Sequence, residues 1–170
     1  FFIESLPKRS LVVGGGYIAV EFAGIFAGLG IESHLSYRGP LFLRNFDQDV
    51  RNVVAEELDK KGINLHFNSN VEKIEKQVDG TLLVSFLEGE PLEVDLVLYA
   101  TGRVPNVTDI GLENVAVKQG KNGAILVDDE FRTSVPNIFA LGDVTDKIQL
   151  TPVAIKEAMA FAQTQYLDQP

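Results

Sequence analysis

Two groups of residues near the amino terminus have the types and spacing of a phosphate-binding site. In the first group, Gly14, Gly16 and Ala19 fit the pattern G-x-G-x-x-A. Such a pattern needs one glycine for a tight turn, a second where a diphosphate approaches the backbone, and a small residue where helix and strand pack closely. The N–H groups and dipole of the helix that follows attract phosphates. The pattern indicates dinucleotide binding, with a tight structural turn as the alternative.

The second group occupies the place of the acid that usually follows these glycines. Sites for NAD carry Asp or Glu about 20 residues farther on, where it accepts a hydrogen bond from the ribose 2′-hydroxyl. Here Tyr37 stands in that region, followed by Arg38 and Arg44. Guanidinium groups bind a 2′-phosphate through charge-assisted hydrogen bonds, whereas a carboxylate would repel it. The sequence therefore predicts NADP(H), with two solvated surface arginines as the alternative.

The hydrophobic pattern predicts an α/β fold that would position these residues. Strands over 10–13 and 31–37 flank a helix over 17–29, which is the spacing of a strand–helix–strand unit with parallel strands. Three alanines are expected on the side of this helix that faces the sheet: Ala19, Ala23 and Ala27. Glu21 is the only charge on this apolar helix, and we expect it to need a partner.

A second helix and a β-meander are predicted next. The helix covers 46–62, with acids at its start and lysines at its end that complement the helix dipole. Its apolar residues are expected to share one face: Val50, Val53, Val54 and Leu58. Four strands are predicted after it, over 63–67, 71–77, 81–86 and 93–100. A VDGT turn makes the middle pair a hairpin, and the last strand is expected to return to the main sheet.

The last third of the chain is less regular. A short buried strand is predicted over 137–143, and a helix over 151–167 with Thr151 as its N-cap and Pro152 as its first residue. This helix is apolar on nearly every face, so we expect it to pack against partners. His34 and His66 lie on predicted strands and are interpreted as structural.

Composition excludes several classes of function. The formal net charge of −9 gives no electrostatic basis for binding nucleic acid, and no apolar run reaches the roughly 18 residues of a membrane span. The chain has no cysteine, so it contains no disulfide or thiol nucleophile, and we predict no metal site. Its only methionine is Met159, so we expect a piece of a longer protein, with a processed mature chain as the alternative. The default location is the cytoplasm.

Five motifs, taken in order, resemble the pyridine nucleotide–disulfide oxidoreductase family, and within it the glutathione reductase branch most closely. They are VVGGGYIAVEFAGIFAGLG, YRGPLFLRNFD, LVLYATGRVPN, RTSVPNIFALGDVTD and LTPVAI. Trypanothione reductases share most of them. The resemblance implies a Rossmann-like NADP(H)-binding domain with a β-meander over 1–103. It also implies that 104–170 is the returning, incomplete half of an FAD-binding domain.

The resemblance also implies what the parent protein does. Such homodimeric enzymes pass hydride from NADPH to FAD and then electrons to a cysteine pair, which here would lie outside this chain and reduce glutathione disulfide. The 170 residues alone would be inactive and would bind NADPH at most. A trypanothione-type or other disulfide reductase, a flavin NAD(P)H oxidase or quinone reductase, and a non-catalytic NADP(H)-binding module are the alternatives.

Residue roles follow from the same resemblance, position by position. Around NADPH it implies cofactor contacts at Gly14, Gly15, Gly16, Ile18, Ala19, Glu21, Arg38, Arg44 and Gly102. Tyr17 resembles an aromatic gate over the flavin, with a solvent-facing helix residue as the alternative, and with Glu21 it forms the catalytic pair. Asp143 resembles the carboxylate that binds the FAD ribityl hydroxyls, although it could be a turn residue.

The carboxyl-terminal part carries two more implied positions and one departure. Gln149 would line the nicotinamide site, and Thr151 would start a helix whose amino terminus points at the flavin. Met159 stands where some glutathione reductases have an arginine that pairs with a glutathione carboxylate. Other reductases of the group also lack that arginine, so glutathione stays the expected substrate.

Overall fold

The computed structural model describes residues 3–167, which form two compact units. One unit ends at Gly102 and the other begins at Arg103. The outermost residues of the two predicted domains, 1–2 and 168–170, lie outside the described part. That the units are the NADP(H)-binding and FAD-binding parts of a larger protein stays a prediction at this point.

The first unit is built on a four-stranded parallel sheet with the order β3-β2-β1-β7. Its strands are β1 (Arg9–Val13), β2 (Glu32–Tyr37), β3 (Asn64–Phe67) and β7 (Leu96–Tyr99). Helix α1 (Tyr17–Gly28) connects β1 to β2, and α2 (Gln48–Lys60) connects β2 to β3. The mixed α/β class, the strand–helix–strand unit and the return of the last strand to this sheet are confirmed.

Small residues let α1 pack closely on the sheet. Ala19 and Ala23 have no exposed surface, and Ala27 packs against the same core. Leu11 and Val12, adjacent in β1, are also fully buried, because the two faces of the central strand are both covered. The predicted alanine stripe is therefore confirmed.

Helix α2 differs from its prediction at its start and in its buried face. Asp47 is its N-cap: the carboxylate accepts from the N–H groups of Asp49 (2.9 Å) and Val50 (3.4 Å), so the helix begins at Gln48 rather than at 46. Leu58 is buried, but Val50 and Val53 are 48% and 57% exposed. The predicted apolar face is therefore only partly covered, because these two valines remain exposed. The face that turns inward follows helical spacing through Arg51, Val54, Ala55 and Leu58.

The β-meander is a separate antiparallel sheet with the order β4-β5-β6. Its strands are β4 (Val71–Lys76), β5 (Leu82–Phe86) and β6 (Leu92–Val94). The predicted hairpin is confirmed: the N–H of Gln77 donates to the carbonyl of Thr81 at 2.8 Å, and Gly80 adopts a φ of +93°.

The prediction of one strand over 93–100 was wrong, because the chain changes sheets at Asp95. The Asp95 carboxylate accepts from the backbone N–H groups of Lys8 (3.0 Å) and Arg9 (2.8 Å), and it pairs with the Arg9 guanidinium at 3.0 Å. These bonds fix the chain between β6 and β7. The hydrogen bond from Arg9 also holds the pKa of the Asp95 carboxyl below its usual range.

The second unit has little regular structure apart from α3 (Thr151–Tyr166). The strand predicted over 137–143 is absent; an isolated bridge joins Arg132 and Phe139, and Gly142–Thr145 is a 3-10 turn. Phe131 adopts a φ of +64°, which bends the partner segment and keeps the pairing from extending. The apolar run is therefore a partly buried loop segment rather than a strand.

Helix α3 begins one residue differently from its prediction. Its N-cap residue is Leu150, and Thr151 is the first helical residue, so the prediction of a Thr151 cap was wrong. No residue of α3 is fully buried, and Met159 is 59% exposed. Within residues 3–167, neither α3 nor any other helix combines the length and the apolar character that crossing a membrane would require.

Two histidines form a buried polar contact between β2 and β3. A hydrogen bond joins Nδ1 of His34 and Nε2 of His66 at 3.0 Å, and Nε2 of His34 lies 3.2 Å from the Glu32 carboxylate. The imidazole of His66 also stacks near the ring of Phe86. Burial, and to a smaller extent the neighbouring His34, lower the pKa of His66 below its ordinary value.

We expect acid to destabilise the first unit through His66. The contribution of neutral His66 to the free energy of unfolding is fully present above the ordinary histidine pKa of about 6.5. It is lost as the pH falls toward the lower pKa of His66 in the folded protein, because the unfolded chain takes up the proton first. Urea unfolding between about pH 7.5 and 5, where carboxylates remain ionised, measures the decline. His66→Phe should show a shallower decline; an unchanged decline in that variant would assign the pH dependence to another group.

Candidate functional site

Gly14 lies where three elements meet at the carboxyl end of β1. Its φ is +153°, and a Cβ there would collide with the backbone carbonyl of Ala100 and lie 3.2 Å from the Cβ of Ala19. Its N–H donates to the carbonyl of Ser36 at 2.9 Å. Only glycine fits this position, because the end of β7 and the first turn of α1 both lie against it.

The amino terminus of α1 has no side-chain cap, and the space beside Gly16 is open. Gly16 is the N-cap residue, and no side chain caps the first turn. A Cβ on Gly16 would meet no atom within 4 Å. N–H groups and a helix dipole that face open space suit the diphosphate of a dinucleotide, so the residues present fit that cofactor group.

Tyr37 connects the glycine turn to the loop that follows β2. Its ring fills the space that a Cβ of Gly15 would need, and it lies 2.7 Å from the Cβ position of Gly39. Sequence reasoning treated Tyr37 only as the absence of an acid. The signal for its packing role was the glycine two residues later, which leaves room for the ring.

The loop at residues 38–44, here called the arginine loop, is held in place by backbone bonds. The N–H of Leu43 donates to the carbonyl of Gly15 at 2.7 Å, so the loop is attached to the glycine turn. Phe42 is fully buried and packs against Phe67 at a ring-centroid distance of 5.6 Å. Arg51 of α2 donates to two further carbonyls of this loop.

Arg38 and Arg44, at the two ends of the arginine loop, are exposed and uncommitted. Neither guanidinium has an acceptor within residues 3–167. The remaining arginines of the chain all have one: Arg9, Arg51, Arg103 and Arg132. Two free guanidinium groups in a chain with a net charge of −9 are suited to an anionic ligand.

The outer side of α1 carries the two residues assigned to catalysis. Tyr17 and Glu21 are one helical turn apart, and both are exposed, as is Ile25 one turn farther on. Ile18 is half-buried beside them. The Glu21 carboxylate has no hydrogen bond or ion pair with residues 3–167, and its exposure means that water solvates it. The partner expected for Glu21 is therefore not among residues 3–167, and the expectation stays a prediction.

Gly102 lies at the same sheet edge as the glycine turn. Strands β1 and β7 are parallel, with Val13 opposite Tyr99, and the N–H of Ala100 donates to the carbonyl of Val13 at 2.8 Å. Gly102 follows with a φ of +138° and is exposed. The carboxyl ends of parallel strands are where open α/β sheets bind ligands, so the first unit brings its predicted cofactor residues to one edge.

The predicted flavin residues of the second unit lie along 143–151. Asp143, in the turn Gly142–Thr145, pairs with the guanidinium of Arg103 at 3.2 Å. The Gln149 amide donates to the Asp146 carboxylate at 2.7 Å. Arg103 was not among the sequence-based site residues. Because this ion pair is largely exposed, the Asp143 carboxylate stays accessible to ligand hydroxyls.

Glu157 of α3 holds this turn, and sequence reasoning missed it. Its carboxylate accepts from the N–H of Gly142 at 2.7 Å. Gly142 adopts a φ of +69°, and its Cβ position lies 3.2 Å from the Cβ of Ala154. The hydroxyl of Thr145 donates to the carbonyl of Gly142 at 2.8 Å. The available signal was that Glu157 is the only acid in α3.

Comparison with known proteins identifies the family. Residues 1–158 match the pyridine nucleotide-disulphide oxidoreductase family. The chain belongs to this family. The resemblance inferred from the five motifs is thereby confirmed.

Among the residues that the structure describes, no group of three or more His, Asp or Glu side chains could hold a metal ion.

Individual relatives within the family are longer than this chain. It is 50% identical over 158 residues to the glutathione reductase of Burkholderia cepacia, covering 93% of the chain and 35% of that protein. It is 49% identical over 160 residues to the trypanothione reductase of Leishmania donovani, covering 92% and 32%. The chain thus spans about a third of the length of these curated relatives.

A solved structure has the same fold. The HOCl-induced flavoprotein disulfide reductase RclA from Escherichia coli superposes with a TM-score of 0.88 at 32% identity, over 96% of this chain and 37% of that one. The predicted Rossmann-type fold class is therefore confirmed. The roles of the individual site residues stay predictions.

Gly14 and Gly16 make a matched pair of variants. Gly14→Ala should lower the free energy of unfolding by about 1–3 kcal/mol or more, because the new side chain would collide with the backbone at a residue whose φ is positive. Gly16→Ala should lower it by no more than about 1 kcal/mol, the cost of alanine at an N-cap, since its φ of −92° is ordinary and its surroundings are open. Urea denaturation of the chain measures both. Similar losses in the two variants would contradict the role given to the close approach at Gly14.

Proposed function

We propose that this chain is the NADPH-binding part, together with a portion of the FAD-binding part, of a flavoprotein disulfide reductase. The observation that carries this proposal is the juxtaposition of an uncapped helix and uncommitted charge. A hydrogen bond between Gly15 and Leu43 joins the open amino terminus of α1 at Gly16 to the arginine loop, which has one free arginine at each end. The amino terminus of α1 would bind the diphosphate of NADPH, and the arginine loop would bind its 2′-phosphate.

The preference for NADP(H) over NAD(H) rests on Tyr37, Arg38 and Arg44. The ring of Tyr37 occupies the end of β2, where a carboxylate would accept from a ribose 2′-hydroxyl. Arg38 and Arg44 would instead donate to a 2′-phosphate. The family name specifies only a pyridine nucleotide. The similarity to a glutathione reductase supports our choice of NADP(H).

The remaining residues of the first unit would surround the nicotinamide half of the cofactor. When bound, NADPH supplies a hydride and FAD accepts it. The backbones of Gly14, Gly15 and Gly102 allow close approach. Tyr17 would shield the flavin until nicotinamide enters, and Glu21, on the same side of α1, would orient the nicotinamide end.

The second unit would supply part of the flavin site. Asp143 would accept hydrogen bonds from the ribityl hydroxyls, and Gln149 would line the nicotinamide side. Thr151 begins a helix with no side-chain cap, so the N–H groups of its first turn favour negative charge placed before them. Glu157 positions the turn that carries Asp143.

We propose glutathione disulfide as the substrate of the whole protein. We also propose that the whole protein is a homodimer and acts in the cytoplasm. The cysteine pair must come from elsewhere in that protein, because these 170 residues contain no cysteine. The 49% identity to a trypanothione reductase supports trypanothione disulfide as the second candidate. Met159, exposed on α3, offers no guanidinium to a glutathione carboxylate, so the substrate assay includes both disulfides.

A steady-state assay of the full-length protein tests this proposal. With NADPH, glutathione disulfide should be reduced faster than trypanothione disulfide, and NADH should be a poor donor. Turnover of trypanothione disulfide alone would reassign the substrate. Absence of any disulfide reduction would contradict the proposed activity.

Removing either free arginine should weaken NADPH binding selectively. Arg38→Ala or Arg44→Ala should raise the Kd for NADPH roughly 10- to 150-fold, since a charged hydrogen bond contributes about 1.5–3 kcal/mol, while NADH binding should barely change. Isothermal titration calorimetry of the chain measures both ligands. Arg132→Ala, which removes an exposed ion-paired arginine from the other unit, is the control. Equal weakening of NADPH and NADH would contradict the assignment.

A further inference from the structure

We propose that Arg51 is the positioning residue that sets the arginine loop for the 2′-phosphate and thereby determines the preference for NADP(H). This inference rests on the proposed function, and it concerns a residue outside the predicted binding set. Arg51 lies on α2, on the side of the helix that faces inward, and its guanidinium reaches back to the loop.

The contacts of Arg51 fall between the two phosphate-binding candidates. Its Nε donates to the carbonyl of Phe42 at 2.8 Å, and its Nη2 donates to the carbonyl of Leu41 at 2.6 Å. These carbonyls belong to successive residues in the middle of the loop, with Arg38 before them and Arg44 after them. A planar fork that binds two adjacent carbonyls fixes the direction of the backbone on both sides.

The loop needs such a clamp because its conformation is unfavourable for its sequence. Leu43, directly after the clamped carbonyls, has a φ of +56°, which is costly for a leucine. Four bonds hold this part of the loop: two from Arg51, one from the Leu43 N–H to the carbonyl of Gly15, and one from the Phe46 N–H to the carbonyl of Leu43. Without Arg51, the loop would lose both of its side-chain bonds. It would keep its backbone bonds, which include one from the Asn68 N–H to the carbonyl of Gly39 at 3.0 Å, and its buried Phe42.

Arg51 itself is not available to a ligand. Its Nη1 donates to the Gln48 side chain at 2.9 Å, so Nε and both terminal nitrogens have acceptors within the protein. Arg38 and Arg44 have none within residues 3–167. The committed arginine holds the loop, and the two uncommitted ones are left to bind phosphate.

The test compares the ratio of Kd for NADH to Kd for NADPH in four forms of the full 170-residue chain, by calorimetry. Wild type should favour NADPH. Arg51→Gln and Arg51→Lys should both reduce the ratio by about 3- to 10-fold, the effect of one or two neutral-acceptor hydrogen bonds, with the Kd for NADH changed less than about twofold. Lys60→Gln removes the same charge from α2, at its far end, and should leave the ratio unchanged.

Any other calorimetric result would contradict either the role of Arg51 or the NADP(H) preference. An unchanged ratio in both Arg51 variants would show that Arg51 does not position the loop. A ratio kept by Arg51→Lys but lost in Arg51→Gln would show that charge, rather than the fork, is what matters. Equal weakening of both cofactors would reduce Arg51 to a general structural role. A wild-type ratio near one would instead overturn the proposed NADP(H) preference, and with it this inference.

Discussion

The site depends on the close approach at Gly14, where β1, β7 and α1 converge with no room for a side chain. The Ala100 carbonyl at the end of β7 and the Ala19 side chain on α1 both lie against this residue. This contact brings the uncapped start of α1 to the carboxyl edge of the sheet and places Gly102 beside it. Any larger residue would separate helix and strand, so the cofactor edge and the core are built by the same packing.

From that point, backbone contacts extend the site outward. The ring of Tyr37 lies between two glycines, and the N–H of Leu43 bonds to Gly15, so the arginine loop is attached to the glycine turn. The result is a division of labour among positive charges. The guanidinium of Arg51 binds carbonyls of the protein, whereas those of Arg38 and Arg44 have no acceptor within residues 3–167, in a chain whose net charge is −9. Two free guanidinium groups on so acidic a chain are suited to binding a small polyanion beside the loop.

Much of this fold could be predicted because its signals are local. Glycine spacing, alanine periodicity and a hairpin turn indicated the strand–helix–strand unit and the meander. The errors arose where tertiary contacts decide. Residues 93–100 form a mostly apolar run that is typical of one strand, and nothing local shows that Asp95 binds the N–H groups of Lys8 and Arg9 and divides the run. The segment 137–143 is largely apolar and partly buried, but its pairing is limited to one bridge, beside the positive φ of Phe131.

The same distinction holds for the site. The glycines and the two arginines could be proposed from residue type and spacing, because residues that would contact a dinucleotide directly follow a known pattern. Arg51 and Glu157 were missed, because each acts on a backbone carbonyl or N–H that is distant in sequence and carries no pattern. Tyr37 was noticed for what it replaced rather than for the two glycines that it packs against. Positioning residues of this kind become visible only when the backbone they hold is known.

The most direct measurement is a titration of the ¹⁵N-labelled chain with NADPH, followed by amide chemical shifts in NMR spectra. The central claim predicts that the shifts concentrate at Gly14–Ala19 and in the arginine loop, and that NADH perturbs the first region while leaving the second nearly unchanged. Shifts that bypass the glycine turn, or an arginine loop that responds equally to both cofactors, would contradict it.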